Sequence, residues 1–399
     1  MVSKGARLTI LITLVGCARA VPSRPTTPGP EAGAPLPAEP VRPGGPAQPQ
    51  LPPVLQPGEV EESDKPAWMR GLLRPDLPLR WYPPVSEYLE LYKNDPRHRE
   101  IIASWLRRLP AYRGAIEEIL AAEGLPTGLV FVAMIESGFS ASALSNRGAG
   151  GFWQFRSDIG RAYGLEIDFW VDERRDLSKS TQAAALYLSD LYYRFQSWEL
   201  ALAGYNAGAF AVLGSIVRFN TNDFWTLCQL ESGLPYETTH YVPRIFAAAI
   251  VDRNRAVFGF EDLKSEHPEP YAVVEAPPTA AFEALAPALG VEISDLERLN
   301  PAFIRGRIPP GEQPVALRVP AGRARSLAGQ SWREFVRVRV ASGQTVGRIA
   351  RQRRIPREEI RRINRIRDDA EVTPGTVLLL PRSARAAPAP TPPARRRPD

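Results

Sequence analysis

Two cysteines, three histidines and three methionines are few for a chain of 399 residues. Cys17 and Cys228 allow one disulfide at most, so the fold cannot rest on a disulfide framework. His98, His240 and His267 are scattered, and no Cys/His spacing suits a metal ion. Neither a phosphate loop nor a dinucleotide fingerprint occurs, so no metal and no cofactor are expected. After the first twenty residues no run is apolar for long enough to cross a bilayer.

Proline, by contrast, is abundant at 41 residues, while 44% hydrophobic content leaves room for two or three domains. Lys4 and Arg7 precede the apolar run Leu8 to Val15 and then Leu14-Val15-Gly16-Cys17, which reads as an export signal over 1–17. That tetrad resembles a bacterial lipobox, which implies lipidation of Cys17. An ordinary cleaved signal with an incidental cysteine is the alternative. Ala18 rather than an aspartate after the cysteine implies an outer-membrane destination. With Cys17 acylated, Cys228 has no partner and reads as a small hydrophobe. Residues 18–65 are dominated by Pro, Gly and Ala and bury too little to fold. At ~3.1 Å per residue such a tether reaches on the order of 100 Å.

Between Leu125 and Phe155 lies the stretch around which the chain is organised. Leu129, Val132 and Ala133 stand seven, four and three residues before Glu136, so a helix over 127–137 sets this carboxyl on its apolar face. Burial and the negative end of the helix dipole before Gly138 both raise its pKa. A carboxylic acid still protonated near neutral pH is what general-acid cleavage of a glycosidic bond requires. Helical spacing also marks Trp68 to Leu120, a helix after Asp176 with Leu177 to Phe195 on one pattern, a helix from Trp198 to Tyr205, and a last one from about His240 to Phe258. The expected core is Leu129, Val132, Leu188, Leu191, Leu200, Leu202, Ile245 and Ile250, within an all-helical lobe over 66–260.

Glu136-Ser137, Phe139, Ala143, Ser145, Gly148-Ala149, Gly151 and Trp153-Gln154-Phe155, followed by Trp170 to Asp176, Gly204 to Gly208 and Leu234 to Pro243, resemble the signature of the soluble lytic transglycosylases, relatives of goose-type lysozyme. The resemblance implies a lysozyme-like, mainly α catalytic domain. It also implies cleavage of the β-1,4 bond between N-acetylmuramic acid and N-acetylglucosamine of peptidoglycan, with 1,6-anhydromuramoyl ends. Glu136 is the implied catalytic acid and then base. Ser145 and Gln154 are the implied substrate contacts from the loop, Tyr205 and Asn206 line the implied cleft, and Tyr241 lies near the acid. The family usually has proline at Ala141 and Met-Pro at Arg156-Ser157.

A repeat follows. Leu285, Ala286, Val291, Leu296, Leu299 and Asn300 correspond at one offset to Ile349, Ala350, Ile355, Ile360, Ile363 and Asn364. The second copy, 335–382, carries a strand, the turn Ser342-Gly343-Gln344-Thr345, two helical stretches and a closing strand. This βααβ order resembles a LysM module, a small α+β unit that binds N-acetylglucosamine-containing glycans. The first copy, 271–321, lacks the turn and is a degenerate match with a binding or a spacer role. Residues 383–399 read as a disordered tail.

Net charge +6 suits an anionic partner. For an exported enzyme the acidic peptides of peptidoglycan come first, and no nucleic acid is expected. The reading is therefore a lipid-anchored periplasmic monomer acting on glycan strands. A hydrolytic muramidase and a non-catalytic scaffold are its alternatives. Asp158, Glu166, Asp168, Asp172, Glu173 and Asp176 are candidates for a second carboxylate; none is singled out by its neighbours, and WVDERRD reads as a charged network capping helices.

Overall fold

The computed structural model describes residues 59–382 except 324, 326, 328 and 329. The export signal with Cys17, most of the 18–65 tether and the 383–399 tail lie outside the described residues. Packing begins upstream of residue 66: the Val60 N–H donates to the Trp81 carbonyl at 2.8 Å, and the buried Lys65 sets its ammonium 4.0 Å from the centre of the Trp81 ring. The last part of the expected tether therefore belongs to the lobe, because it has an aromatic surface to bury against.

Ten helices build that lobe: α1 (Pro83–Asn94), α2 (Pro96–Ala122), α3 (Val130–Ser137), α4 (Ser157–Ala162), α5 (Leu177–Phe195), α6 (Trp198–Ala207), α7 (Ala209–Phe219), α8 (Phe224–Gln229), α9 (Tyr236–Arg253) and α10 (Arg255–Phe258). Short polar side chains start several of them. Asp95 accepts the His98 N–H at 2.9 Å, Asp176 that of Lys179 at 2.9 Å and Asp223 that of Thr226 at 2.7 Å. α9 begins at Tyr236 rather than His240, since Pro235 immediately precedes it and holds the φ of −57° that a helix entry needs. All eight expected core residues are at most 2% exposed. They lie in one core with Trp81, Trp153, Phe224 and Phe246.

Two small units follow. In the first, β1 (Tyr271–Ala276) pairs antiparallel with β2 (Val315–Pro320) across α11 (Phe282–Leu289) and α12 (Ile293–Leu299). In the second, β3 (Phe335–Arg339) pairs with β4 (Val377–Pro381) across α13 (Val346–Arg353) and α14 (Arg357–Asn364). The repeat is exact in its interior: Asn300 donates to the carbonyls of Leu296 and Arg318 and accepts from the Arg318 N–H, and Asn364 does the same with Ile360 and Leu379. One buried amide thus ties the second helix of each copy to its closing strand. Both copies pack on the 168–176 segment. Trp170 donates its indole N–H to the Val377 carbonyl at 2.9 Å, Asp176 pairs with Arg318 at 2.9 Å, and Ala302, Ile363 and Leu379 cover Trp170 and Val171. Among the described residues no helix is long and apolar enough to cross a membrane.

Candidate active site

A single turn of 3-10 helix, Thr127–Leu129, leads into α3, and Glu136 sits in the last turn of that helix. Gly138 ends it in the left-handed conformation, φ 58°, with its Cα face against the Trp105 indole. An added Cβ would lie 2.5 Å from the indole nitrogen, so no other residue fits there. Phe139 also has positive φ, 63°, an unusual conformation for a bulky residue, and is held there by stacking on Tyr112 at 5.5 Å. Ser137 pins the helix end to the next loop by donating to the Phe152 carbonyl at 2.7 Å.

The loop from 138 to 156 is shaped by its own backbone and by Arg174. Gly150 bridges both Leu144 and Phe155. The buried Arg174 guanidinium donates to the carbonyls of Gly148 at 2.7 Å and Phe155 at 3.0 Å while its other nitrogens meet both carboxylate oxygens of Asp172 at 2.8 Å. Gly151 presses on the same anchor: a Cβ there would come within 1.8 Å of the Arg174 carbonyl oxygen. In the sequence Arg174 is one member of a charged run. Its role was hidden because its loop partners are main-chain carbonyls, which leave no pattern in a sequence.

Glu136 is half-buried, and Tyr241 of α9 donates its phenol to Oε1 at 2.5 Å. Burial pushes the Glu136 carboxyl up to about 7; the Tyr241 hydrogen bond pulls against this, Glu237 adds to it and Arg244 opposes it. Glu237 and Arg244 had no assigned role in the sequence reading. Glu237 lies one turn before Tyr241 on α9, so the i, i+4 spacing was the available signal. The Tyr241 and Tyr205 phenols are both raised well above the ordinary range, by burial first and then by the nearby Glu136 charge.

The other expected contacts fall into two groups. Tyr205 and Asn206, at the end of α6, bond to the loop and to α9: Tyr205 donates to the Trp153 carbonyl at 2.7 Å, and the Asn206 carbonyl oxygen accepts from Thr238 at 2.7 Å. Tyr205 therefore braces the loop, and Tyr241 alone of the two tyrosines bonds Glu136. Ser145 and Gln154 serve the loop. The exposed Ser145 hydroxyl accepts the N–H groups of Arg147 at 3.3 Å and Ala149 at 3.0 Å, closing a turn. Gln154, at φ 49°, donates to the carbonyls of Gly151 at 2.9 Å and Ala143 at 3.3 Å. Arg156 turns outward to an exposed pair with Asp158 at 3.3 Å. Of the carboxylates weighed as a second catalytic group, Asp168 accepts the Trp170 and Val171 N–H groups, Glu173 accepts the Glu166 N–H and pairs with Lys179, and Asp176 caps α5.

Residues 115–227 match the family described as Transglycosylase SLT domain, 271–331 the Lytic transglycosylase MltD, LysM-like domain, and 338–381 the LysM domain. Two curated relatives, the membrane-bound lytic murein transglycosylase D of Escherichia coli strain K12 and that of Escherichia coli O6:H1, are each 31% identical over 208 residues. The match covers 51% of this chain and 45% of each relative, so the chain spans less than half of their length. An inactive mutant of the lytic transglycosylase Slt from Pseudomonas aeruginosa superposes over 46% of this chain and 29% of its own, at 20% identity and a TM-score of 0.33.

Proposed function

We propose, for a chain that carries a transglycosylase SLT domain ahead of two LysM-type modules and is homologous to lytic murein transglycosylase D, that it cleaves peptidoglycan glycan strands non-hydrolytically with Glu136 as its one catalytic carboxyl. The observation that carries this reading is the environment of Glu136: enclosure that lifts it to about 7 and a single phenol as partner. Half-protonated near neutral pH, it suits both halves of an acid and base cycle.

Glu136 gives its proton to the O4 leaving oxygen of N-acetylglucosamine as the C1–O4 bond of N-acetylmuramic acid breaks. The muramoyl C6 hydroxyl attacks C1, its proton returns to Glu136, and a 1,6-anhydro ring closes. No water enters, and the nucleophile is already part of the bound sugar, which gains from proximity. Tyr241 orients the carboxyl by its hydrogen bond. Asn206, its carbonyl edge fixed by Thr238, turns its N–H edge to accepting groups such as an acetamido oxygen. Ser145 and Gln154 act on substrate through the shape of the loop that they brace. The lipobox reading at Cys17 extends the proposal to a lipid-anchored enzyme on the periplasmic face of the outer membrane.

The test is mass spectrometry of muropeptides released from purified sacculi by the full chain, beside Glu136→Gln. Products with 1,6-anhydro ends, absent with Glu136→Gln, are expected. Hydrated reducing ends would replace this reading by a muramidase, with Glu237 as the carboxylate to examine next. No release by folded protein would leave the scaffold reading.

A further inference from the structure

The two modules share a fold and differ in charge. Residues 335–382 hold twelve arginines, no lysine and five carboxylates, for a net +7, whereas 271–321 hold four arginines against six carboxylates, for a net −2. The whole chain is +6, so the second module accounts for all of its positive balance.

Part of that charge is gathered into one place. A cleft of about 370 Å³ opens between the two modules, with Thr279 to Ala281 and α11 on one side and α14 on the other. Arg307, Arg333, Arg362 and Arg365 line it, with Glu283 as their one carboxylate in the lining and Trp332 and Phe335 as its aromatic wall. The scaffold holds these guanidinium groups close together. Arg365 reaches across the backbone of Gly306, where an added Cβ would meet its Nη1 at 2.2 Å, and pairs with Glu283 and, at 3.6 Å, with Glu297, while Arg333 pairs with Glu359 at 3.6 Å. Arg307 donates to the Thr279 carbonyl and lies 5.0 Å from the centre of the Phe335 ring, with Arg333 at 5.4 Å from the same ring. Exposed Arg362 makes no ion pair with a described residue. Burial pushes Arg307 down to about 10, with Glu283 opposing and Arg365, Arg333 and Arg362 adding to the push. A second cleft of about 420 Å³, lined by five arginines, among them Arg305, Arg361 and Arg367, and by one carboxylate, Glu358, continues from the first through Arg362 and Arg365.

We propose that the inter-module cleft is a carboxylate-binding site and that its ligand is an acidic peptide of the kind that branches from peptidoglycan, so that the second module reads the peptide as well as the sugar chain. This rests on the peptidoglycan reading of the preceding subsection. Guanidinium forks match carboxylates in pairs and hold them by charge-assisted bonds, which a neutral glycan cannot supply. Mutual repulsion among the four arginines falls when an anion enters. The aromatic wall suits the short apolar side chains between successive carboxylates. A concave site of this size fits one side chain at a time, unlike the open face that a duplex or a lipid surface needs.

Calorimetric titration of the full chain with free stem tetrapeptide, released from glycan by an amidase, tests the assignment at low and at physiological salt. Tetrapeptide binding is expected, about ten-fold weaker in Arg362→Gln and less reduced in Arg362→Lys, which keeps the charge and loses the fork. Absence of tetrapeptide binding, or equal affinity in wild type and Arg362→Gln, overturns it. So does equal or tighter binding of a DNA duplex or of anionic phospholipid vesicles with the same dependence on Arg362, which would make the cleft a general polyanion surface. The readout needs no turnover. Anhydro products without peptide binding reject the site alone, and peptide binding without anhydro products rejects only the catalytic reading.

Discussion

Glu136 and Asp172 are both acids withdrawn from water, and the lobe treats them in opposite ways. Asp172 meets the Arg174 guanidinium with both oxygens and also accepts the Arg174 backbone N–H, so it is a strut for the loop over the cleft. Glu136 meets one phenol, while the charges that act on it, Glu237 and Arg244, oppose each other. A buried carboxyl given a guanidinium fork holds structure; one given only an uncharged donor keeps its proton longer and becomes available for chemistry.

Substitution of both acids and their partners can break or sharpen this contrast. The largest effect is expected for Glu136→Gln, which should lower muropeptide release by roughly 10² to 10⁴, the range for a general acid and base. The same change should stabilise the protein at pH 8. The folded pKa of about 7 lies above the ordinary 4.5, so the folded state favours the neutral form. That contribution is complete below pH 4.5 and is lost as pH rises through 7, leaving a burial penalty of about 3 kcal/mol that glutamine removes. A lower melting temperature for Glu136→Gln at pH 8 would make Glu136 a strut like Asp172.

Arg174→Ala should do the reverse. It leaves Asp172 with only the more distant Arg175, at 3.7 Å, and frees two loop carbonyls, for a loss of about 3 kcal/mol by denaturant titration. If Arg174→Ala melts like the wild type, the loop is held by something else.

Third in size is the pH profile. Cleavage should fall about ten-fold per pH unit above 7 as Glu136 loses its proton. Because the Tyr241 hydrogen bond lowers the Glu136 pKa, Tyr241→Phe should move that limb to higher pH; a limb that stays in place would remove Tyr241 from the site. The smallest effect belongs to Asp158→Asn, which breaks an exposed pair with Arg156 and should change stability by less than about 1 kcal/mol. A larger loss would give the outer face of the loop a structural part.

Much of the lobe was legible. The spacing of Leu129, Val132 and Ala133 before Glu136 gave the helix and the enclosed carboxyl, and the single offset between Asn300 and Asn364 gave two copies of one unit. The packing of the second copy on the lobe was not legible: Ile363 and Leu379 cover Trp170, so removing that copy would expose part of the lobe. Point changes in the inter-module cleft leave that cover intact. The parts of Ser145 and Gln154 were less legible. Their residue types suit a sugar contact, yet their side chains close the loop on backbone groups that any sequence could supply.

The sequence by itself determined the periods, caps and breaks: helical spacing in the lobe, Asp176 and Gly138 as helix ends, and the strand, helix, helix, strand order of each module. Those depend on residues a few positions apart, where the interactions are set by backbone geometry. Only the tertiary structure decided that Tyr241 rather than Tyr205 bonds Glu136, that Arg174 anchors the loop, and that four arginines from two modules and the segment joining them share one cleft. A pKa, an ion pair and a cluster of like charges are sums over neighbours in space, and Glu136 and the Tyr241 phenol that bonds it lie 105 residues apart in sequence.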